Sequence, residues 1–256
     1  MGAAGGTERP AGVTMTAERE RILAAHRSIR VFQPEPLPDG MLERLVGEAQ
    51  RAPSDATGQM YSFVRIVDAT LRRRIAKLSG TQTHVVDAAE FLVVCADLHR
   101  LAGVVERSGR LPGTFPATGM HFGVVDATLA AQRLIDAAEA IGLGVCCIGG
   151  ILDGIEALVE LLVLPPGVLP LFGLCLGWPG EDPGERPRVA TASVLHTDRY
   201  RDQGGDALEA DIAVMARTTR SRDWPNVLAR YFASGGIMEQ RETGLRGVLA
   251  RQGFSW

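Results

Sequence analysis

No run of apolar residues in this 256-residue chain approaches the roughly 18 that a membrane span requires, so no spanning helix is expected. Glu8 and Arg9 have no apolar core after them, which argues against a secretory signal and for a cytoplasmic protein. No charge of one sign dominates, since 27 Lys and Arg face 30 Asp and Glu for a net charge of −3. A chain so balanced has no global basic field for nucleic acid or anionic lipid, so any bound anion must be held by a local cluster. Cysteine is scarce. Cys95, Cys146, Cys147 and Cys175 all lie in apolar runs, with neither a C-x-x-C pair nor a Cys/His cluster to hold a metal. They read as small buried hydrophobes in a reducing compartment, with Cys146 and Cys147 on opposite faces if they share a strand. No phosphate-binding P-loop, no H-E-x-x-H and no G-x-S-x-G is found, and the five histidines are scattered. A chain without a recognisable set of side-chain catalysts is expected to borrow its chemistry from a cofactor.

What is present is the balance of an ordinary globular protein, 46% hydrophobic and 22% charged, long enough to bury a sizeable core. Residues 1–15, rich in Gly and Ala, are expected to be a disordered tail. A first helix is predicted from Ala17 to about His26. A second, with Asp39 as its N-cap, has Met41, Leu42, Leu45, Val46 and Ala49 on one face and ends at Pro53. The polar loop APSDATGQ follows, then YSFVRIVD alternates as a half-buried strand and Ala69 to Leu78 reads as helix. FLVVCAD is an unbroken apolar run that suits a strand buried on both faces. Gly103 to Gly119 reads as a surface excursion, and Met120 to Ile141 as a long helix apolar on more than one side, closed by Gly142 and Gly144. A short strand at VCCI, a helix from Ile151 to Leu162, a buried strand at LFGLCLGW and a Pro-rich loop WPGEDPGERPR come next. The region after Asp206 reads as helical with a gap at TTRSRDWP. Strands separated by helices predict a layered αβ fold around one sheet.

The stretch Gly142-Leu-Gly-Val-Cys-Cys-Ile-Gly-Gly150 fails as a dinucleotide fingerprint: the third glycine would fall at Cys147, and the glycines precede a strand instead of following one. Two arginine segments are more informative. His26-Arg27-Ser28-Ile29-Arg30 sets two guanidinium groups three residues apart with a hydroxyl between, and Arg186-Pro187-Arg188 sets two more on an extended loop where alternate side chains face the same way. Forked, planar donors suit a phosphate. Read by themselves, the segments fit a phosphate or carboxylate site, or a solvated surface with ion pairs.

Taken together, several segments resemble the FMN-dependent nitroreductase superfamily. Arg27-Ser28-Ile29-Arg30-Val-Phe, Pro36, Ala52-Pro53-Ser54 and Gln59 resemble its opening. Ala88-Ala89-Glu90-Phe91, Cys95-Ala96-Asp97, Ile148-Gly149-Gly150-Ile151 and Ile155-Glu156 follow in order. LPPGVLPLFGLCLGWP and Arg186-Pro187-Arg188 are similar to the subgroup of oxygen-insensitive NADPH nitroreductases and NADPH–flavin oxidoreductases. The motifs run from about Ala25 to His196.

The resemblance implies an α+β fold, a three-layer αβα sandwich in a domain-entwined homodimer, with residues 16–256 forming one FMN-binding domain whose part over 206–256 is divergent and helical. It implies that His26, Arg27, Ser28 and Arg30 hold the FMN phosphate and ribityl chain, and that Arg186 and Arg188 complete the phosphate cage. The family often has lysine where Arg186 stands. Ser54 and Gln82 would contact the flavin from the partner subunit or the ribityl side, while Cys147, Ile148, Gly149 and Gly150 would line its edge, where glycine permits close approach. A ping-pong reaction follows from the resemblance, with hydride passing from NAD(P)H through the flavin to a nitroaromatic, a quinone or another flavin. NADPH is the expected donor, its 2′-phosphate met by Arg217, Arg220 and Arg222. Three departures stand out: Cys147 replaces a frequent aromatic, the loop Asp55-Ala56-Thr57-Gly58 carries a carboxylate and no bulky aromatic, and the chain after Asp206 is shortened. A pathway-specific flavin oxidase or dehydrogenase, or a non-catalytic flavin-binding protein, is the alternative.

Overall fold

The computed structural model describes residue 24, residues 26–219 and residues 221–255. The tail expected over 1–15 and nearly all of the helix expected from Ala17 lie outside the described residues. Four antiparallel strands form one sheet in the order β1-β2-β4-β3: β1 Tyr61–Arg65, β2 Glu90–Asp97, β3 Gly144–Ile148 and β4 Val168–Gly177. The strands read from YSFVRIVD, FLVVCAD, VCCI and LFGLCLGW are thus all present.

Both faces of the sheet are covered. Leu92 and Val94 of β2 pack with Leu42 and Leu45 of helix α1 (Met41–Ala49). Ala127, Ala130 and Leu134 of the long α5 (Pro116–Ala140) lie on the same side. Phe91, Val93 and Cys95 point the other way, to Ile75 of α2 (Ala69–Leu78), Val85 of α3 (His84–Asp87) and Leu158 of α6 (Ile155–Leu161). Alternate residues of one strand therefore feed two cores, which is why β2 carries no polar residue between Phe91 and Ala96. The fold is α+β, helices on either side of a small sheet.

Local departures have local causes. Asp39 does not cap α1: Gly40 is its N-cap, at φ 74°, and Met41 N–H donates to Pro38 O at 3.0 Å. Pro38-Asp39-Gly40 is a turn, and only glycine takes the left-handed position cheaply. The helix ends at Ala49, before Pro53. The expected surface excursion contains α4 (His99–Arg107), which runs through Gly103, and α5 starts early because Pro116 suits the first helical turn. Gly142 leaves α5 at φ 84°, but Gly144 belongs to β3, where a Cβ would stand 2.8 Å from Ile29 Cγ1. Gly149–Gly154 is a 3-10 stretch before α6, so the helix expected from Ile151 starts later. Cys95, Cys146 and Cys175 are buried, whereas Cys147 is exposed, correcting the expectation that all four are core.

Beyond β4 come α7 (Gly205–Met215), α8 (Trp224–Phe232) and α9 (Ile237–Gln252), with the expected gap between α7 and α8. Val248, Leu249 and Phe254 share a buried cluster with Ala96, Met120 and Leu169, so the divergent end of the chain is packed into the main core. No helix among the described residues is long and apolar enough to cross a membrane.

Candidate functional site

The first arginine segment is laid along the outer edge of β3. Ser28 bridges Val145 in parallel, Ile29 N–H donates to Val145 O at 2.8 Å, and Phe32 bridges Pro179. His26 Nδ1 lies 2.8 Å from Glu139 Oε1, and Arg27 Nε pairs with Asp182 Oδ1 at 2.7 Å. Glu181 Oε1 accepts the N–H groups of Arg30 (2.6 Å) and Val31 (3.0 Å), which ties the Pro-rich loop to the segment. An open cleft of about 590 Å³ lies here, lined by Arg27, Ile29, Glu139, Leu143 and Asp182 among others.

Electrostatics show which charges converge. The Cys146 thiol is pushed up by burial and by Glu181, and drawn down by Arg30 and Arg186. His84 is 8% exposed, and its Nε2 has no hydrogen-bond partner among the described residues. Its pKa is lowered by burial and then by Arg30, against the opposing pull of Asp87 and Glu181. Arg30 and Glu181 thus influence both Cys146 and His84, and Arg186 influences Cys146. His84 was not among the residues singled out from the sequence. A polar residue at the start of the apolar THVV stretch was its only signal. Arg188 turns back on its own loop, with Nη1 donating to Arg186 O (3.0 Å) and Pro187 O (3.3 Å), so it does not face the same way as Arg186 by simple alternation.

At the far end of β3, Ile148 is buried and the chain turns at Gly149-Gly150. A Cβ on Gly150 would lie 2.5 Å from both Gln82 Nε2 and Ser79 O, so this turn is pressed against the 79–82 segment. Gln82 Nε2 itself donates to Ser79 O at 2.6 Å. Around Gly149 a Cβ would meet nothing within 4 Å. Cys147 emerges at the surface, yet desolvation, and then Cys146 and Glu139, push its thiol up to about 11, so it is no nucleophile at neutral pH. No group of His, Cys, Asp and Glu among the described residues could hold a metal.

The nitroreductase family model matches residues 23–178, more than half of the chain. The chain belongs to the nitroreductase family. It is 38% identical over 222 residues to the oxygen-insensitive NADPH nitroreductase of Salmonella typhimurium, covering 87% of this chain and 85% of that protein. Nitroreductase A from Vibrio parahaemolyticus superposes with a TM-score of 0.84 at 32% identity, over 94% of this chain and 99% of that one. The NADPH:FMN oxidoreductase from Vibrio harveyi, solved with NAD+, gives 0.80 at 31% identity, over 93% and 98%. Matches this extensive take in most of the region after Asp206, so the fold persists beyond the motifs that reveal the family.

In this nitroreductase-family chain nine of the residues singled out from the sequence follow the β3 edge or its two ends: His26, Arg27, Ser28, Arg30, Gln82, Cys147, Ile148, Gly149 and Gly150, while Arg186 and Arg188 lie on the loop that Glu181 ties to that edge. Ser54 does not join them. It precedes β1, at the opposite edge of the sheet, and its Oγ donates to Asp126 Oδ2 of α5 at 2.7 Å. Arg217 lies in the 3-10 turn Ala216–Thr218 and Arg222, at φ 54°, precedes α8, while Arg220 is outside the described residues. No hydrogen bond or ion pair among the described residues links the Arg217 or Arg222 side chain to the β3 edge.

Proposed function

We propose that this nitroreductase-family enzyme carries FMN, takes electrons from NADPH and delivers them to a small acceptor such as a nitroaromatic, a quinone or another flavin. The observation that carries this reading is the edge of β3, where the His26–Arg30 segment lies against Val145, Glu181 ties the loop that leads to Arg186 to that segment, and the turn at Gly149 leaves open space at the other end. Neither the Arg30 nor the Arg186 side chain makes an ion pair among the described residues. Forked cations at one end of β3, with a backbone position open to close approach at Gly149 at the other, fit a phosphorylated planar group. Bound FMN would supply the redox chemistry, accepting two electrons from the reduced nicotinamide and passing them on.

The chain's own part is to bind and orient. Arg27, Arg30 and Arg186, with His26 and Ser28, would hold the phosphate and ribityl chain, and Arg188 would join them by releasing its loop carbonyls. Ile148, Gly149, Gly150 and Cys147 would line the ring edge, with Gln82 packed against the Gly150 turn. Ser54 would reach the flavin only from a second copy, since within one chain it stands across the sheet. That reading calls for a homodimer. Val125 and Leu129 support it: both belong to α5 and remain 39% and 40% exposed on one chain. A single domain over 16–256, cytoplasmic and without membrane or nucleic-acid partners, completes the proposal. Sedimentation of the FMN-loaded protein should give a dimer only.

Anaerobic mixing with NADPH and with NADH tests the activity. The yellow protein should bleach, faster with NADPH, and release FMN on denaturation. A colourless protein that takes up no FMN, or a bound flavin that neither donor reduces, would sink the reading. For the donor, an Arg217→Ala, Arg220→Ala, Arg222→Ala variant should lose about tenfold or more of its NADPH preference in kcat/KM, since one charge-assisted contact contributes roughly 1.5–3 kcal/mol.

A further inference from the structure

Asp126 is 1% exposed, midway along α5, beside Ala127 and Ala130 of the apolar core. A carboxylate in such a place is costly unless its oxygens are fully used. Here they are: Oδ2 accepts Ser54 Oγ at 2.7 Å and Met60 N–H at 3.0 Å, while Oδ1 accepts Asp55 N–H at 3.1 Å. Ser54 Oγ in turn accepts Gln59 N–H at 2.6 Å. One side chain therefore ties down both ends of the 54–60 loop from a helix far along the chain.

Between those ties the backbone is strained. Ala56, Thr57 and Gln59 take φ of 47°, 56° and 49°, left-handed values that residues with a Cβ avoid. Such conformations persist only where the surroundings impose them. Between Asp55 and Gly58 the loop carries no bulky side chain, so its shape there is that of its backbone. The one charge it presents is Asp55, which is exposed and whose own N–H is held by Asp126.

We propose that Asp126 is a positioning residue that fixes the 54–60 loop, and with it the Asp55 carboxylate, so that the site favours neutral acceptors over anionic ones. The proposal rests on the flavoenzyme reading above, in which Ser54 and its loop border the flavin. Asp55 would repel an anionic acceptor, and Asp126 would keep that charge from swinging away.

Two measurements test it. The first is hydrogen–deuterium exchange of the peptide covering 54–60, in FMN-free and FMN-loaded protein. Asp126→Asn, similar in size, should raise exchange there about tenfold or more while the peptides of β2 and β4 keep their protection. The second is kcat/KM with NADPH for a neutral quinone and its sulfonated analogue. The wild type should favour the neutral quinone by about tenfold, and Asp55→Asn and Asp126→Asn should each bring the ratio towards unity, acting mainly on KM. Unchanged exchange in Asp126→Asn overturns the anchor. Unchanged ratios overturn the acceptor preference and leave Asp126 a structural residue. If Asp126→Asn does not fold, Ser54→Ala removes the Oγ ties alone and must raise exchange at 54–60, or the anchor is wrong. A wild type that binds no FMN overturns the flavoenzyme reading and the acceptor preference with it, while exchange in the FMN-free protein still decides the anchor.

Discussion

The two outer edges of the sheet treat their polar groups in opposite ways. Along β1 the network is closed except at the Tyr61 hydroxyl, which has no partner among the described residues. Asp126 receives three donors, Asp97 receives Ser62 Oγ and Arg100 N–H, the Arg100 guanidinium holds Gln59 O and Tyr61 O, and Arg65 grips Glu90. Along β3 the network is open. Among the described residues the Arg30 and Arg186 side chains make no ion pair, and the buried His84 Nε2 has no hydrogen-bond partner. Closed polar networks specify shape, whereas a buried group left without a partner calls for something to satisfy it. The first edge holds a loop still, and the second is where the proposed FMN site would lie.

The largest expected effect probes the open edge. Arg186→Ala with Arg188→Ala should weaken FMN binding about a hundredfold or more, at roughly 1.5–3 kcal/mol for each charge-assisted bond and ~1.4 kcal/mol per tenfold. Of the two single changes Arg186→Ala should account for most of the loss, because Arg188 already bonds its own loop. The melting temperature of the FMN-free protein should stay put. A fall there, with affinity retained, would make the β3 edge structural and erase the contrast.

Next come the adjacent glycines. Gly150→Ala forces a Cβ to within 2.5 Å of Ser79 O, and overpacking of this kind costs about 1–3 kcal/mol, a fall in Tm of roughly 3–10 °C. Gly149→Ala meets nothing, so the FMN-free protein should melt unchanged. If the open space at Gly149 is where the flavin lies, FMN titration should nevertheless show weakened binding. Unaltered affinity would move the ring elsewhere.

On the closed edge, Arg100→Ala removes bonds to Gln59 O and Tyr61 O. About 0.5–1.5 kcal/mol of stability should go, read by denaturant midpoint, with FMN affinity falling far less than in the Arg186 and Arg188 variant. A change in affinity as well would show that Arg100 also sets the position of the 54–60 loop at the flavin.

The smallest effect is one of pH. Burial lowers the His84 pKa, so on acidification the unfolded chain takes up this proton first. The contribution of the neutral imidazole is complete above about pH 6.5 and is lost as pH falls below it, towards the lowered folded value. The melting temperature of FMN-free wild type should decline over that window more steeply than that of His84→Gln. Parallel curves would mean that His84 is not held neutral by its surroundings.

Much of this was legible in the chain. The boundaries of α2 and the double-sided burial of β2 followed from the spacing of apolar residues. The arginine segments stood out because guanidinium groups at short intervals have few roles, and the order of motifs resembled one family. What escaped reading was local competition between turn and helix. Gly40 took the cap from Asp39, Gly103 was tolerated inside α4, and Gly154 split the expected helix because a Cβ there would lie 2.9 Å from Leu78 Cβ. His84 and Asp126 escaped for another reason. A single polar residue in an apolar stretch gives no hint of what it faces.

The sequence by itself determined the types of element, the two apolar faces of the sheet and the family, because each depends on residues close together or on an ordered set of motifs. Only the tertiary structure decided that Ser54 stands across the sheet from the arginines, that Asp126 closes a loop lying more than 60 residues earlier in the chain, and that Glu181 occupies the amides of Arg30 and Val31. Those pairings are set by strand order and by how the helices lie on the sheet. Hydrophobic periodicity says which face a residue turns to, but not which distant residue waits there.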